Sequence, residues 1–111
     1  MDTEKLLHDL IVDYLKRKLS KEYKEIKVNP EGYPDLILAN HGLTLAILEV
    51  ETENSITPEK TEKWKKMSQE GPKLILMVPK NSKAKVIELL WQNGIADKVS
   101  VGSYEISINM P

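Results

Sequence analysis

The sequence contains no cysteine, which rules out disulfide bridges and thiolate metal sites as sources of stability. At 111 residues the chain fits one domain and leaves no room for a second. A domain of that size buries about two thirds of the surface its unfolded chain exposes, enough for a core without covalent staples. No apolar run approaches the roughly 18 residues of a membrane-spanning helix. Met1-Asp2-Thr3-Glu4 places acids where a secretory signal would carry positive charge. These absences predict a soluble, cytoplasmic protein with no membrane partner.

An excess of one charge is also missing. Charged residues make up 30% of the chain, yet the formal net charge is −1. A strongly basic domain would announce a polyanionic partner, so any contact with nucleic acid has to come from local patches. There is no glycine-rich phosphate loop, because Gly32, Gly42, Gly71, Gly94 and Gly102 stand alone at turns. No serine lies in a nucleophile-elbow context. His8 and His41 show no zinc-ligand spacing.

What is present is a regular alternation of patterns. From Thr3 to about Ser20, Leu6, Leu7, Leu10, Ile11, Tyr14, Leu15 and Leu19 recur at helical steps and form one apolar stripe. Asp2 or Thr3 is the expected cap, and Lys16, Arg17, Lys18 and Lys21 suit the negative end of the helix dipole. Tyr23–Val28 reads as a short strand, followed by a turn at Asn29-Pro30-Glu31-Gly32. Tyr33–Ala39 and Leu43–Thr52 are two strands joined at Asn40-His41-Gly42, a hairpin signal. Thr57 caps and Pro58 opens a second helix, which runs to about Gln69 before Gly71-Pro72. Lys73–Pro79 is a buried strand. Asn81 or Ser82 caps a third helix that ends at Asn93-Gly94 in a left-handed turn. Val99–Ile108 supplies the last strand or pair of strands. The predicted fold is α/β, in the order α-β-β-β-α-β-α-β, with a mixed central sheet flanked by helices.

Three carboxylates stand out. Alternation along Leu43–Thr52 puts Leu43, Leu45, Ile47, Glu49 and Glu51 on one face and Thr44, Ala46, Leu48, Val50 and Thr52 on the other. Both faces are apolar through the middle, which marks a central strand. The hairpin sets Asp35 alongside Glu49 and Glu51, within about 5 Å for paired residues. Converging carboxylates repel and resist desolvation. A hard divalent cation such as Mg²⁺ offsets both effects, and it polarises phosphate and acidifies bound water.

Pro34-Asp35, followed fourteen positions later by Glu49-Val50-Glu51, resembles the motif of the PD-(D/E)XK nuclease superfamily. That superfamily includes many restriction enzymes and archaeal Holliday-junction resolvases. The resemblance spans residues 4 to 91 and implies a restriction-endonuclease-like core of one helix, a three-strand meander, a helix and a further strand. It implies a hydrolase that cuts DNA, with Asp35, Glu49 and the backbone carbonyl of Val50 holding Mg²⁺ or Mn²⁺. It also implies a two-fold homodimer or a protein partner, since the chain has little room for other recognition elements. The departure is Glu51, where the superfamily usually has lysine. Three readings stay open. Glu51 acts as general base or second-metal ligand; the lysine has moved to the next helix, at Lys60 or Lys63; or the domain binds nucleic acid or protein without cutting. The superfamily often adds an acid from the first helix, for which Glu4 or His8 is available.

Each residue also has a bland reading. Asp35 can close a turn, and Glu49, Glu51 and Glu53 can form a solvated acidic rim. Lys60, Lys63, Lys65 and Lys66, interleaved with Glu59 and Glu62, read as a solvated helix face. His8 reads as a helix-surface residue, and Trp64, Met67 and Trp91 as core. The apolar Val99–Met110 region could instead pair with another chain.

Overall fold

The computed structural model describes residues 3–29 and 33–107. The Asp2 cap, the turn at 30–32 and the chain beyond 107 lie outside the described residues. The domain is an α/β sandwich built on one five-stranded mixed sheet, whose strands lie side by side in chain order. Helix α1 (Thr3–Leu19) leads into a meander of β1 (Glu25–Val28), β2 (Leu36–Asn40) and β3 (Leu43–Val50). A 3-10 turn at Glu53–Ser55 and helix α2 (Pro58–Ser68) then lead to β4 (Lys73–Pro79). A second 3-10 turn at Lys80–Ser82 and helix α3 (Lys83–Gln92) lead to β5 (Val99–Tyr104).

Local chemistry explains most element ends. The β2–β3 turn has His41 at φ 53 and Gly42 at φ 76, the left-handed pair that a two-residue hairpin requires. Helix α2 begins with Thr57 accepting a hydrogen bond from the Lys60 N–H and with Pro58 at its first position. Helix α3 closes with Gly94 at φ 71. There the Ile95 N–H reaches the Leu90 carbonyl at 3.0 Å and the Gly94 N–H reaches that of Trp91 at 3.1 Å, a Schellman ending. No hydrogen bond from the Ser82 side chain caps α3.

The three meander strands are antiparallel, while β3, β4 and β5 run parallel. Two successive crossovers in the same direction place α2 and α3 on one face of the sheet, and α1 covers the other. Strand β3 is the middle strand, and from Ala46 to Val50 its residues are buried on both faces. Ile47 packs with Trp64, Met67, Leu74, Leu76, Val86 and Leu90 beneath α2 and α3. Leu48 and Val50 pack with Ile11, Val12, Leu15, Leu36 and Leu38 beneath α1.

Several apolar residues expected inside are outside. Trp91 is 71% exposed, because Val86 and Leu90 turn inward and the next residue is rotated by about 100°. Leu6, Leu10 and Tyr14 are exposed. Helix α1 is the only helix on its face among the described residues, so its far flank has nothing to pack against. Leu43 and Leu45 are exposed as well; the ladder slips by one residue between Leu38 and Ala39, and the strand reaches the core only from Ala46. The paired strands are shorter than expected, starting at Leu36 and ending at Val50 and Tyr104.

Candidate functional site

The hairpin register builds the site. Leu36 pairs with Leu48, so continuing the ladder sets Asp35 opposite Glu49. Beyond Leu36 the sheet has no further β2 partner for Val50, and a side chain takes over. The Val50 N–H donates to Asp35 Oδ2 at 2.7 Å, and the Asp35 N–H donates to Glu49 Oε1 at 3.1 Å. Both carboxylates are buried, Asp35 at 6% exposure and Glu49 at 4%.

Their charges differ. Burial, then the hydrogen bond to Asp35 and the charges of Asp35 and Glu51, push the Glu49 carboxyl up to about 9. Glu49 therefore carries a proton at neutral pH. Burial also works to raise Asp35, but hydrogen bonds from His8, Glu49 and the Val50 N–H outweigh it and hold the carboxyl below its usual range. His8 is not a free surface residue, as its place on α1 had implied. Its Nε2 lies 3.0 Å from Asp35 Oδ1 and its Nδ1 lies 3.0 Å from Asp9 Oδ1. The bond to Asp35, opposed by partial burial and helped by Asp9, raises the imidazole to about 9. Asp35, Glu49 and His8 thus form a self-neutralised group.

Glu51 takes a different set of partners. Its Oε2 accepts the Trp64 indole N–H at 2.7 Å, and its Oε1 lies 3.2 Å from Lys60 Nζ and 3.0 Å from Ser55 Oγ. Its backbone is held too: its N–H donates to the Met77 carbonyl at 2.9 Å, and its carbonyl accepts the Tyr104 hydroxyl at 2.7 Å. Glu4 projects from α1 to the Thr52 hydroxyl and the Asn54 amide, and the Thr52 bond lowers its carboxyl. That contact pins the start of α1 to the β3–α2 connection.

The fold brings the candidate catalytic and metal-binding residues of the sequence to one place. Asp35, Glu49, Val50, Glu51, Lys60 and Lys63 line one open depression of ≈ 390 Å³, together with Glu4, His8 and Tyr33. The three carboxylates do not converge on a single point: Asp35 and Glu49 pair, and Glu51 turns towards α2. Among the described residues no three His, Asp or Glu side chains form a metal-ligand set. The donor chemistry of the Asp35–Glu49 pair nevertheless suits a hard cation. Its carboxylate oxygens are what Mg²⁺ or Mn²⁺ prefers, and a cation there would have to displace the proton that Glu49 keeps. Sequence reasoning missed the bonds that Ser55, Trp64 and Tyr104 make to Glu51. The one available signal was helical spacing, which puts Lys60 and Trp64 on a shared face of α2.

Comparison of the chain with protein-family models, with curated proteins and with solved structures found no match.

Proposed function

We propose that this domain is a metal-dependent nuclease that hydrolyses phosphodiester bonds of nucleic acid, with DNA as the substrate to test first. The observation that carries the reading is the buried Asp35–Glu49 pair, set side by side by the hairpin register at the floor of an open, lysine-bordered depression. The meander followed by a helix and a parallel strand agrees with a restriction-endonuclease-like core, whose acids fall at these positions. Asp35 and Glu49 would hold Mg²⁺ or Mn²⁺, with the Val50 carbonyl next to them. A cation there would polarise a phosphate and acidify a water.

The remaining groups have roles of their own in this reading. Glu51 is saturated by Trp64, Ser55 and Lys60, so it serves as the anchor that aims Lys60 at the depression. Lys60 then stands in for the lysine missing at position 51 and supplies positive charge where the phosphate gains negative charge. His8 holds Asp35 in place from α1. Cutting both strands of a duplex would require a second copy of the chain in a two-fold dimer, which mass in solution would reveal.

The test is Mn²⁺ binding by calorimetry on the wild type and on Asp35→Ala, with a nuclease assay in the same buffer. Binding and cleavage that both vanish in the variant support the reading. Absence of binding at millimolar metal overturns it. In that case the second reading applies: a non-catalytic module of the same architecture, contacting nucleic acid or a protein partner. The observation favouring that second reading is the neutrality of the Asp35–Glu49–His8 group, which is satisfied by a proton and an imidazolium.

A further inference from the structure

Tyr33 and Lys63 have no part in the site chemistry above, yet both line the same depression. Tyr33 is two residues from Asp35 and 43% exposed, an aromatic ring at the mouth of a polar site. Lys63 Nζ lies 4.5 Å from the ring centroid. The lysine folds back over the ring, and among the described residues it makes no ion pair with a carboxylate. It sits one turn from Lys60 on α2, whose charge is already matched by Glu51 at 3.2 Å. The rim of the depression therefore carries a half-exposed ring with the Lys63 ammonium against one of its faces, next to the two acids.

We infer that Tyr33 and Lys63 form a clamp for one unpaired nucleotide, so that the domain prefers single-stranded nucleic acid to intact duplex. The inference rests on the proposed function and names its substrate class. The physical reason is access. Every base has a π face that can stack on an aromatic ring whatever its identity, but in a duplex that face is already covered by neighbouring base pairs. A lone exposed tyrosine can read only a base free of its stack. Lys63 supplies the counter-charge for the adjacent phosphate. The strand has room to continue. A cleft of ≈ 750 Å³ shares Glu4 and Thr52 with the depression and is lined by Pro79, Tyr104 and Ile106, together with Lys80 and the carboxylates of Glu53 and Glu105, so its partly apolar walls suit a base better than a phosphate.

The experiment is fluorescence anisotropy with labelled oligonucleotides of one sequence, as single-stranded DNA, single-stranded RNA and duplex DNA. Binding is read in EDTA so that no turnover occurs, and cleavage of the same three is read separately with Mn²⁺. The wild type is expected to bind a single strand more tightly than duplex. Tyr33→Ala weakens single-strand binding about tenfold or more and erases the preference, while Tyr33→Phe keeps both because the ring remains. Lys63→Ala lowers the slope of log affinity against log salt by about 0.7. A surface contact with no ligand role would alter thermal stability and leave strand preference untouched. The clamp is overturned by equal or tighter binding of duplex, by Tyr33→Ala binding like the wild type, or by no binding of any strand. Mn²⁺-dependent cleavage that ignores Tyr33 sinks the clamp alone. Tyr33-dependent single-strand binding without any cleavage supports the clamp and sinks the nuclease reading.

Discussion

Glu49 and Glu51 lie two residues apart, both almost fully buried, at 4% and 1% exposure. Their surroundings are opposite. Glu49, buried and beside another carboxylate, keeps its proton. Glu51 faces an ammonium, an indole N–H and a hydroxyl. Burial by itself therefore does not decide what a carboxylate does. The partners that the fold brings to it decide whether a cation, a proton or a set of donors offsets the lost hydration.

The contrast can be broken most strongly at Glu51. Glu51→Ala leaves the Trp64 N–H without its acceptor and Lys60 without its counter-ion, and opens a void between β3 and α2. We expect a loss of about 3–5 kcal/mol in unfolding free energy, read by urea denaturation. A loss below about 1 kcal/mol would show that the network around Glu51 is replaceable by water. Lys60→Met removes only one of its partners, and that one is 24% exposed in its side chain. The expected cost is smaller, about 1–2 kcal/mol, because Trp64 and Ser55 still satisfy the carboxylate.

Glu49→Gln should have the smallest effect at neutral pH, within about 0.5 kcal/mol, since a neutral amide replaces a group that is already neutral. Its signature lies in the pH dependence. An unfolded chain releases the Glu49 proton near the ordinary value of 4.5, whereas the folded chain keeps it to about 9. The native state binds more protons across that window, so stability falls as pH rises. His8 adds to the decline: its contribution is complete below 6.5 and is lost as pH climbs through about 9. Thermal melts of the wild type should drop from mildly acidic towards alkaline pH. Glu49→Gln should flatten the part between 4.5 and 6.5 and make the decline from 6.5 to about 9 shallower, leaving the His8 contribution there. A wild-type melt that does not change with pH would remove the distinction between the two glutamates.

Much of the fold was legible because its signals are local. Helical spacing marked α1, Thr57-Pro58 opened α2, Asn93-Gly94 closed α3, and His41-Gly42 supplied the left-handed pair for the hairpin. The Asp35–Glu49 juxtaposition was legible for the same reason, since a tight hairpin turns a sequence interval into a distance. Trp91 and the flank Leu6–Leu10–Tyr14 were misplaced because periodicity finds an apolar stripe but not how much of it another element will cover. His8 was misplaced because its partner Asp35 lies far along the chain and meets it only when α1 packs across the sheet.

The amino-acid sequence by itself determined an α/β chain, a hairpin carrying an acid on each arm, and lysines on the helix that follows. Those properties depend on backbone preferences and on spacings of a few residues. Tertiary structure alone decided which acid pairs with which group: Glu51 with Trp64 across thirteen positions, Glu4 with Thr52 across forty-eight, and His8 with Asp35 between helix and strand. The reason is that charge state depends on dehydration and on neighbours within a few ångströms, and both are set only when α1 and α2 close over opposite faces of the same strand.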